Sequence, residues 1–235
     1  MIPYAGKMII PFGEGEGEEL ALPKLIKRVH QEALPPSDYA PEIQVAHRAW
    51  RVGHLEKLRK NDGQIWKEKL TLASEKKNAS AVLLLLDGDK PHNLGSPPHC
   101  VGTVASQLAA WAREVGAGKV FSVAVVIARQ EMESWFIAGA DSLKGVRDSN
   151  GLLLGANLQV LTGDLELSPR DAKDWLNRNM PSGYKPTADQ VRLAQRVDLK
   201  LIRDRKLRSF QRFENAVAQI HSALTSGRHI ATPGT

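Results

Sequence analysis

Three short acidic segments are the residues best suited to chemistry in this sequence. They are Glu14 with Glu16, Glu18 and Glu19, then Asp87 with Asp89, and finally Glu131 with Glu133. Carboxylates held close together repel one another unless a cation neutralises them, and their oxygen ligands suit Mg²⁺ or Mn²⁺. A divalent ion bound in this way can activate a water molecule and offset the charge of a transferring phosphate. The acidic segments therefore predict a metal site of the kind found in nucleases.

Each acidic segment follows an apolar run that predicts a β-strand. The runs cover residues 7–12, 79–86 and 119–128, and the last two are continuous apolar stretches of the kind buried on both faces of a parallel sheet. The carboxyl ends of such strands form a ligand-binding crevice, so we expect the acids to converge there. The alternative is that they are solvated turn residues. Because Glu131 is the first anion after its strand, we expect it to be a better ligand than Glu133, which could instead stabilise a helix N-terminus.

Helical patterns alternate with these strands and predict an α/β fold. They cover residues 18–33, 64–75 and 101–115, and residues 43–59 also have a broadly helical pattern. Pro11 lacks the N–H that a central strand donates, so the first strand is expected to be an edge strand, to be bulged or to end early. The predicted first domain, residues 1–140, is a parallel sheet flanked by helices.

Beyond residue 140 the pattern becomes mainly helical and basic. Helices are predicted within residues 169–178 and, as one or two basic helices, within residues 187–226. Residues 141–235 are therefore expected to form a helical, basic C-terminal lobe that packs on the first domain, with a frayed tail over residues 227–235.

The basic residues favour a polyanionic partner. Lys and Arg number 32 against 26 Asp and Glu, which gives a net charge of +6. Four of them recur at helical spacing and would share one helix face: Arg192, Arg196, Lys200 and Arg203. We expect this face to contact nucleic-acid phosphates, and a solvated amphipathic face is the alternative.

Cysteine content and hydropathy predict the compartment. The single cysteine, Cys100, excludes an internal disulfide framework and fits a reducing cytoplasm. The longest apolar run, residues 81–86, is far shorter than the roughly 18 residues of a membrane span. The N-terminus has no sustained apolar stretch typical of a secretory signal. We therefore expect a cytoplasmic protein without a membrane partner.

Two motifs in the acidic segments resemble those of Toprim-like proteins. Residues 14–18, Glu-Gly-Glu-Gly-Glu, are similar to the Glu-Gly-x-x-Glu motif of that group, and Asp87-Gly88-Asp89 is similar to its Asp-x-Asp motif. Residues 128–136, Tyr184-Lys185, Arg203 and residues 209–213 resemble, more narrowly, a bacterial Toprim-like family of unassigned function. That family is related to the nuclease domains of overcoming-lysogenization-defect proteins. The resemblance extends from about Lys7 to Ile220.

The resemblance implies a Toprim-like fold and a Mg²⁺- or Mn²⁺-dependent nuclease, or related phosphodiester-transfer enzyme, acting on DNA or RNA. It implies that Glu14 is the general acid/base or first metal ligand, that Asp87 and Asp89 are metal ligands, and that Glu18 belongs to a second metal position. Glu131 is the other candidate for that position. An ATPase protein partner and a role in phage defence are also implied. The alternative is a non-catalytic Toprim-like module that binds nucleic acid or regulates a partner.

Overall fold

Six strands form a fully parallel sheet in the computed structural model, which describes residues 7–33, 43–88 and 100–234. The strands of the described chain are β1 (Lys7–Gly13), β2 (Ile43–Val45), β3 (Trp50–Arg51), β4 (Ala79–Leu86), β5 (Ser122–Ile127), β6 (Arg147–Asp148), β7 (Gly151–Leu152) and β8 (Ala231–Thr232). The sheet order is β2-β1-β4-β5-β8, and β3 also pairs with β1. β6 and β7 form a separate antiparallel pair.

Eight α-helices of the described chain cover the two faces of the sheet. They are α1 (Glu16–Ala33), α2 (Leu55–Ser74), α3 (Val101–Glu114), α4 (Glu133–Ala138), α5 (Ala172–Asn179), α6 (Pro186–Arg196), α7 (Leu199–Asp204) and α8 (Arg208–Ser226). A short 3₁₀ helix spans Ala140–Ser142. The predicted α/β class, a parallel sheet flanked by helices with a helical C-terminal region, is confirmed. None of the helices described is long and apolar enough to cross a membrane.

The strands are apolar on both sides because each face of the sheet has its own core. Successive strand side chains point to opposite faces, so Leu83 and Leu85 pack with α1 and the C-terminal helices, whereas Leu84 and Leu86 pack with α2 and α3. The first of these cores contains residues from both sides of residue 140. The C-terminal helices are therefore part of the layer that covers the sheet.

Pro11 lies in an interior strand that continues to Gly13, so the predicted edge and early end are wrong. The register of β1 against β4 does shift between Met8 and Ile9, in line with the predicted bulge in this strand. β1 pairs with β4 on one side and with β2 and β3 on the other. The carbonyl groups of Ile9 and Gly13 accept hydrogen bonds from residues just beyond β2 and β3, respectively. Because backbone groups alternate along a strand, the nitrogen of Pro11 faces the gap between β2 and β3. The missing N–H leaves no ladder hydrogen bond unmade.

Three local predictions were wrong. The segment 43–59 contains β2, β3 and only the start of α2, because pairing with β1 makes these two short stretches extended. The segment 187–226 contains three helices instead of one or two. The tail beyond Gly227 is not frayed over its described length: β8 pairs with β5, and Arg113 Nη2 donates to the carbonyl of Ala231 at 2.8 Å.

Candidate functional site

The carboxyl ends of β1, β4 and β5 meet where the strand order reverses. From β1 the chain passes through α1 to β2 on one side, whereas β4 lies on the other side, which is the position where open α/β sheets bind ligands. The Asp87 backbone N–H donates to Glu14 Oε2 at 3.2 Å, and the Met132 N–H donates to Asp87 Oδ1 at 2.9 Å. The predicted convergence of the three acidic segments is therefore present for the described residues. Asp89 lies outside them.

Gly88 makes the close approach of β4 and β5 possible at this point. Its N–H donates to the carbonyl of Gln130 at 2.8 Å. A Cβ at position 88 would lie 2.3 Å from the carbonyl oxygen of Ala128, which is shorter than any normal contact. The glycine between Asp87 and Asp89 is therefore required by the packing of the two strand ends.

Asp87, Glu131 and Glu133 form what we call the acidic cluster. Each offers a carboxylate oxygen, and these three oxygens lie within 4.8 Å of one another, so the cluster could hold a metal ion. The Lys173 ammonium lies among them, 2.7 Å from Glu131 Oε1, 3.4 Å from Asp87 Oδ2 and 3.9 Å from Glu133 Oε2. One ammonium therefore faces three carboxylates.

Glu133 is the most deeply buried member of the acidic cluster, with no exposed side-chain surface. Its Oε1 accepts hydrogen bonds from Tyr184 OH at 2.9 Å and from Gln190 Nε2 at 2.8 Å. Its Oε2 has no hydrogen-bond partner among the residues that the structure describes. A buried carboxylate oxygen without a hydrogen bond is costly, and the Lys173 ammonium, 3.9 Å away, is too far to donate one. This atom therefore remains available to a ligand inside the protein.

Glu131 is engaged in holding a helix in place. Its Oε2 accepts from the backbone N–H groups of Ala172 and Lys173, at 2.9 and 3.2 Å, in the first turn of α5. Its Oε1 accepts from the Lys173 ammonium. Glu131 thus fixes both α5 and Lys173 against the end of β5. The geometry favours Glu133 over Glu131 as a ligand, the reverse of the order expected from the sequence.

Burial and the neighbouring carboxylates of the acidic cluster favour the protonated form of Asp87 and Glu133. Burial raises the pKa of Asp87 well above its usual value, and Glu133 raises it further, whereas Lys173 lowers it. Burial also raises the pKa of Glu133. Burial acts to lower the pKa of Lys173, but Asp87, Glu133 and Glu131 outweigh it and raise that pKa. Lys173 therefore stays an ammonium, and the charge of the remaining carboxylates is relieved either by protonation or by a further cation.

Glu14 and Glu18 lie beside the acidic cluster rather than within it. Glu14 Oε1 is hydrogen-bonded to His54 Nδ1. Glu18 Oε2 accepts from the Gly15 N–H at 2.9 Å, which satisfies a free backbone donor at the start of α1. Both carboxylates are close enough to raise the pKa of Asp87. Glu14 and Glu18 therefore add negative charge at the edge of the site.

A cleft of about 1650 Å³ lies beside the acidic cluster, and Glu131 lines it, whereas Asp87 and Glu133 are not among its lining residues. Gly88, Glu131, Lys173 and Tyr184 are among the residues that line it. Four arginines also line this space, which we call the basic cleft: Arg129, Arg170, Arg208 and Arg212. A large ligand bound in the basic cleft could therefore reach Lys173 and the carboxylates around it.

The four basic residues predicted to bind nucleic acid do not share one helix face. Asp198 begins a new helix by accepting from the Lys200 N–H, so Arg192 and Arg196 lie on α6 and the other two lie on α7. Arg192 is buried and paired with Asp148 and Asp189. Arg203 pairs with Glu214 and Glu32, and Lys200 pairs with Asp204. Arg196 is exposed.

Sequence reasoning missed Lys173, Gln190 and the contact of His54 with Glu14. Lys173 follows Glu131 by 42 positions and Asp87 by 86, and nothing in its local pattern distinguishes it from a surface lysine. The one usable signal was the Glu-x-Glu spacing after the third predicted strand. It marked Glu133 without showing that this residue is the buried one.

Comparison with known proteins identifies the family. No curated protein and no solved structure is detectably similar to the chain. Residues 13–218 match the family described as Domain of unknown function (DUF4276). The match covers most of the chain and includes all three acidic segments, the residues of the acidic cluster and Lys173. The chain belongs to the DUF4276 family.

Proposed function

We propose that the protein is a Mg²⁺- or Mn²⁺-dependent nuclease, or a related phosphodiester-transfer enzyme, acting on DNA or RNA. The observation that carries this proposal is the fully buried Oε2 of Glu133, which accepts no hydrogen bond from the described residues and lies beside Asp87 at the switch point of the sheet. A large cleft lined by arginines opens beside these carboxylates. The Toprim-like motifs around Glu14 and Asp87 support the same activity.

The residues present fit a divalent cation. The donors are carboxylate oxygens, which suit Mg²⁺ and Mn²⁺, and Lys173 neutralises only one of the three carboxylates in the acidic cluster. Asp87 and Glu133 would hold the ion. Glu14, Glu18 and Asp89 are candidates to support it or a second ion, as the motif resemblance implies. Glu131 is already occupied by α5 and Lys173 and therefore acts mainly as a positioning residue.

The chain's own residues would bind and orient the substrate. A bound divalent ion would supply an activated water molecule and stabilise charge on the phosphate. Tyr184 and Gln190 keep the Glu133 carboxylate in place. The Lys173 ammonium attracts a phosphate entering from the basic cleft. The hydrogen bond between Glu14 and His54 can hold a proton at the edge of the site, in line with the acid/base role implied for Glu14. The cysteine content and hydropathy favour the cytoplasm, and the same resemblance implies an ATPase partner and a role in phage defence.

A second candidate function is favoured by Lys173 itself. Its ammonium lies within 4 Å of all three carboxylates, where a cation would otherwise offset their charge. A site with this internal cation could be a decayed one. The protein would then be a non-catalytic module that binds nucleic acid or regulates a partner.

A cleavage assay tests the two functions against each other. Plasmid DNA, single-stranded DNA and RNA are each incubated with the protein and Mg²⁺, Mn²⁺ or EDTA. We expect cleavage of at least one substrate with a divalent ion, and loss of cleavage to the EDTA level in Asp87→Asn and in Glu133→Gln. Asp204→Asn removes a carboxylate on α7 that is 58% exposed and should leave cleavage unchanged.

Two results would contradict the proposed nuclease activity. One is cleavage by Asp87→Asn at the rate of the parent protein, which would mean that the activity comes from elsewhere. The other is the absence of cleavage under every condition from a folded protein that still binds nucleic acid, which would establish the second candidate.

A further inference from the structure

We infer that the basic cleft binds the phosphodiester backbone of a nucleic acid through Arg170, Arg208 and Arg212. This inference rests on the proposed function for its substrate class and adds the surface that holds the substrate. It replaces the helix face predicted from the sequence. Three observations lead to it. The carboxylates in the cleft already have partners within the protein, three of its arginines have no ion-pair partner among the described residues, and most of the basic residues predicted from the sequence are already paired.

The carboxylates that line the basic cleft are already engaged within the protein. Glu131 accepts from the N-terminus of α5 and from Lys173. Glu166 accepts from the backbone N–H groups of Arg208 and Ser209, at 3.0 and 2.7 Å, at the start of α8. Their charge is therefore offset by helix termini and an ammonium.

The two remaining acids of the cleft are also satisfied. Asp171 caps α5 by accepting from the Asp174 N–H at 2.8 Å. Asp174 pairs with Arg178 at 2.7 Å. The four carboxylates therefore have their hydrogen-bond and ion-pair partners elsewhere than in the side chains of Arg170, Arg208 and Arg212.

Three of the four arginines of the cleft, in contrast, form no ion pair with the described residues. Arg170, Arg208 and Arg212 are exposed, and no carboxylate within the described ranges lies within ion-pair distance of any of them. Arg208 and Arg212 are four residues apart on α8 and so project from the same side of the helix. The fourth arginine, Arg129, has a loose pair with Asp164 at 3.6 Å. The cleft therefore carries net positive charge that the protein itself leaves unneutralised.

The helix face predicted from the sequence offers much less. Arg192 is 8% exposed and held by two aspartates, and Arg203 is paired with two glutamates. Guanidinium groups engaged in this way cannot take a phosphate without breaking ion pairs. The basic cleft is also lined by Glu131 and Lys173, so a backbone bound there would bring a phosphate to the edge of the acidic cluster.

Binding is measured in EDTA, so that cleavage plays no part. The probes are fluorescein-labelled oligonucleotides of one sequence: single-stranded DNA, duplex DNA and RNA, followed by anisotropy between about 50 and 200 mM salt. The test variant carries Arg170→Ala, Arg208→Ala and Arg212→Ala. The matched control, with the same change in charge, carries Lys77→Ala, Lys119→Ala and Lys144→Ala at exposed positions outside the cleft. Circular dichroism checks that both are folded.

We expect the test variant to bind its best probe on the order of 100-fold more weakly near 0.1 M salt. Each lost phosphate contact lowers the slope of log K against log salt by about 0.7 to 0.9, so three contacts lower it by about two to three. The control variant should match the parent in affinity and slope. Replacing the same three arginines with lysine keeps the charge and should retain most of the affinity.

Three outcomes would overturn the inference: no binding by the parent protein, equal binding by the parent and the test variant, or equal loss in the test and control variants. The cleavage assay separates this from the proposed function. If the test variant retained metal-dependent cleavage in full, the binding role of the basic cleft would be refuted and the proposed nuclease activity would be supported. Binding that depends on the three arginines, without any cleavage, would support the binding role of the cleft and contradict the nuclease activity.

Discussion

Replacing Lys173 with methionine should reveal the repulsion within the acidic cluster. Removing one partner of a buried ion pair costs about 3–5 kcal/mol. Because the Lys173 side chain is 37% exposed, solvent screening reduces this cost, and we expect a loss of about 2 kcal/mol in the free energy of unfolding. In a protein of this length 1 kcal/mol corresponds to about 2–4 °C, so the Tm in EDTA should fall by about 4–8 °C.

The loss should depend on pH and on divalent ions. The pKa values of Asp87 and Glu133 are raised in the folded state, so their contribution to stability is complete below the unfolded pKa values near 4 and is lost as pH rises through the folded ones. The Lys173→Met defect should therefore vanish near pH 4 and be largest at pH 8. Mg²⁺ at about 100 times its Kd adds about 2.7 kcal/mol, and the variant should gain more than the parent because Lys173 no longer competes.

The measurement is the Tm by circular dichroism from about pH 4 to 8, with EDTA and with Mg²⁺. Lys200→Met, which removes a lysine that is 75% exposed, is the control and should leave the Tm unchanged. If Lys173→Met were as stable as the parent at every pH in EDTA, the charge argument would be refuted. If Mg²⁺ stabilised neither protein, the second candidate function would be favoured.

Three further changes test other parts of the structure. Gly88→Ala places a Cβ 2.3 Å from the Ala128 carbonyl oxygen and should lower the free energy of unfolding in urea by about 1–3 kcal/mol; an unchanged midpoint would contradict the close approach of β4 and β5. Glu166→Gln removes the carboxylate that accepts from two N–H groups at the start of α8 and should cost about 1–2 kcal/mol by the same measurement. Burial lowers the pKa of His30 and of His221, and His30 Nε2 lies 2.8 Å from His221 Nδ1. Stability should therefore be complete above about pH 6.5 and fall as pH decreases through the folded pKa values. His221→Gln should flatten this acid dependence of the Tm, and an equally steep decline would refute the explanation.

The sheet could be predicted from the sequence because its central strands are continuous apolar runs. The predicted strand 79–86 coincides with β4, and the prediction for 119–128 contains β5. The acids that follow such runs must lie at one edge, which is why the approach of Glu14 to Asp87 was foreseeable. β2, β3 and β8 were not, since two or three residues give no periodicity and their extended conformation comes from pairing with a longer neighbour.

The predicted order of Glu131 and Glu133 as metal ligands was wrong because it depends on burial, which the sequence does not show. Glu131 and Glu133 are equivalent in the sequence, but a helix start more than 40 positions later occupies the first and leaves the second with an oxygen that accepts no hydrogen bond from the described residues. The prediction of one basic helix face was wrong for a related reason. A repeat of three or four residues shows which side chains could share a helix face, but not that Asp198 divides the helix or that Arg192 faces two aspartates.

The pairing of β8 with β5 has a consequence for how the molecule folds. About a hundred residues, including α4 to α8, lie between these two adjacent strands. Such a contact closes a very long loop, and contacts of high sequence separation form slowly. The edge at β8 should therefore be acquired late, after the helices between the strands have docked, and its amides should exchange with deuterium before those of β4 in the centre of the sheet.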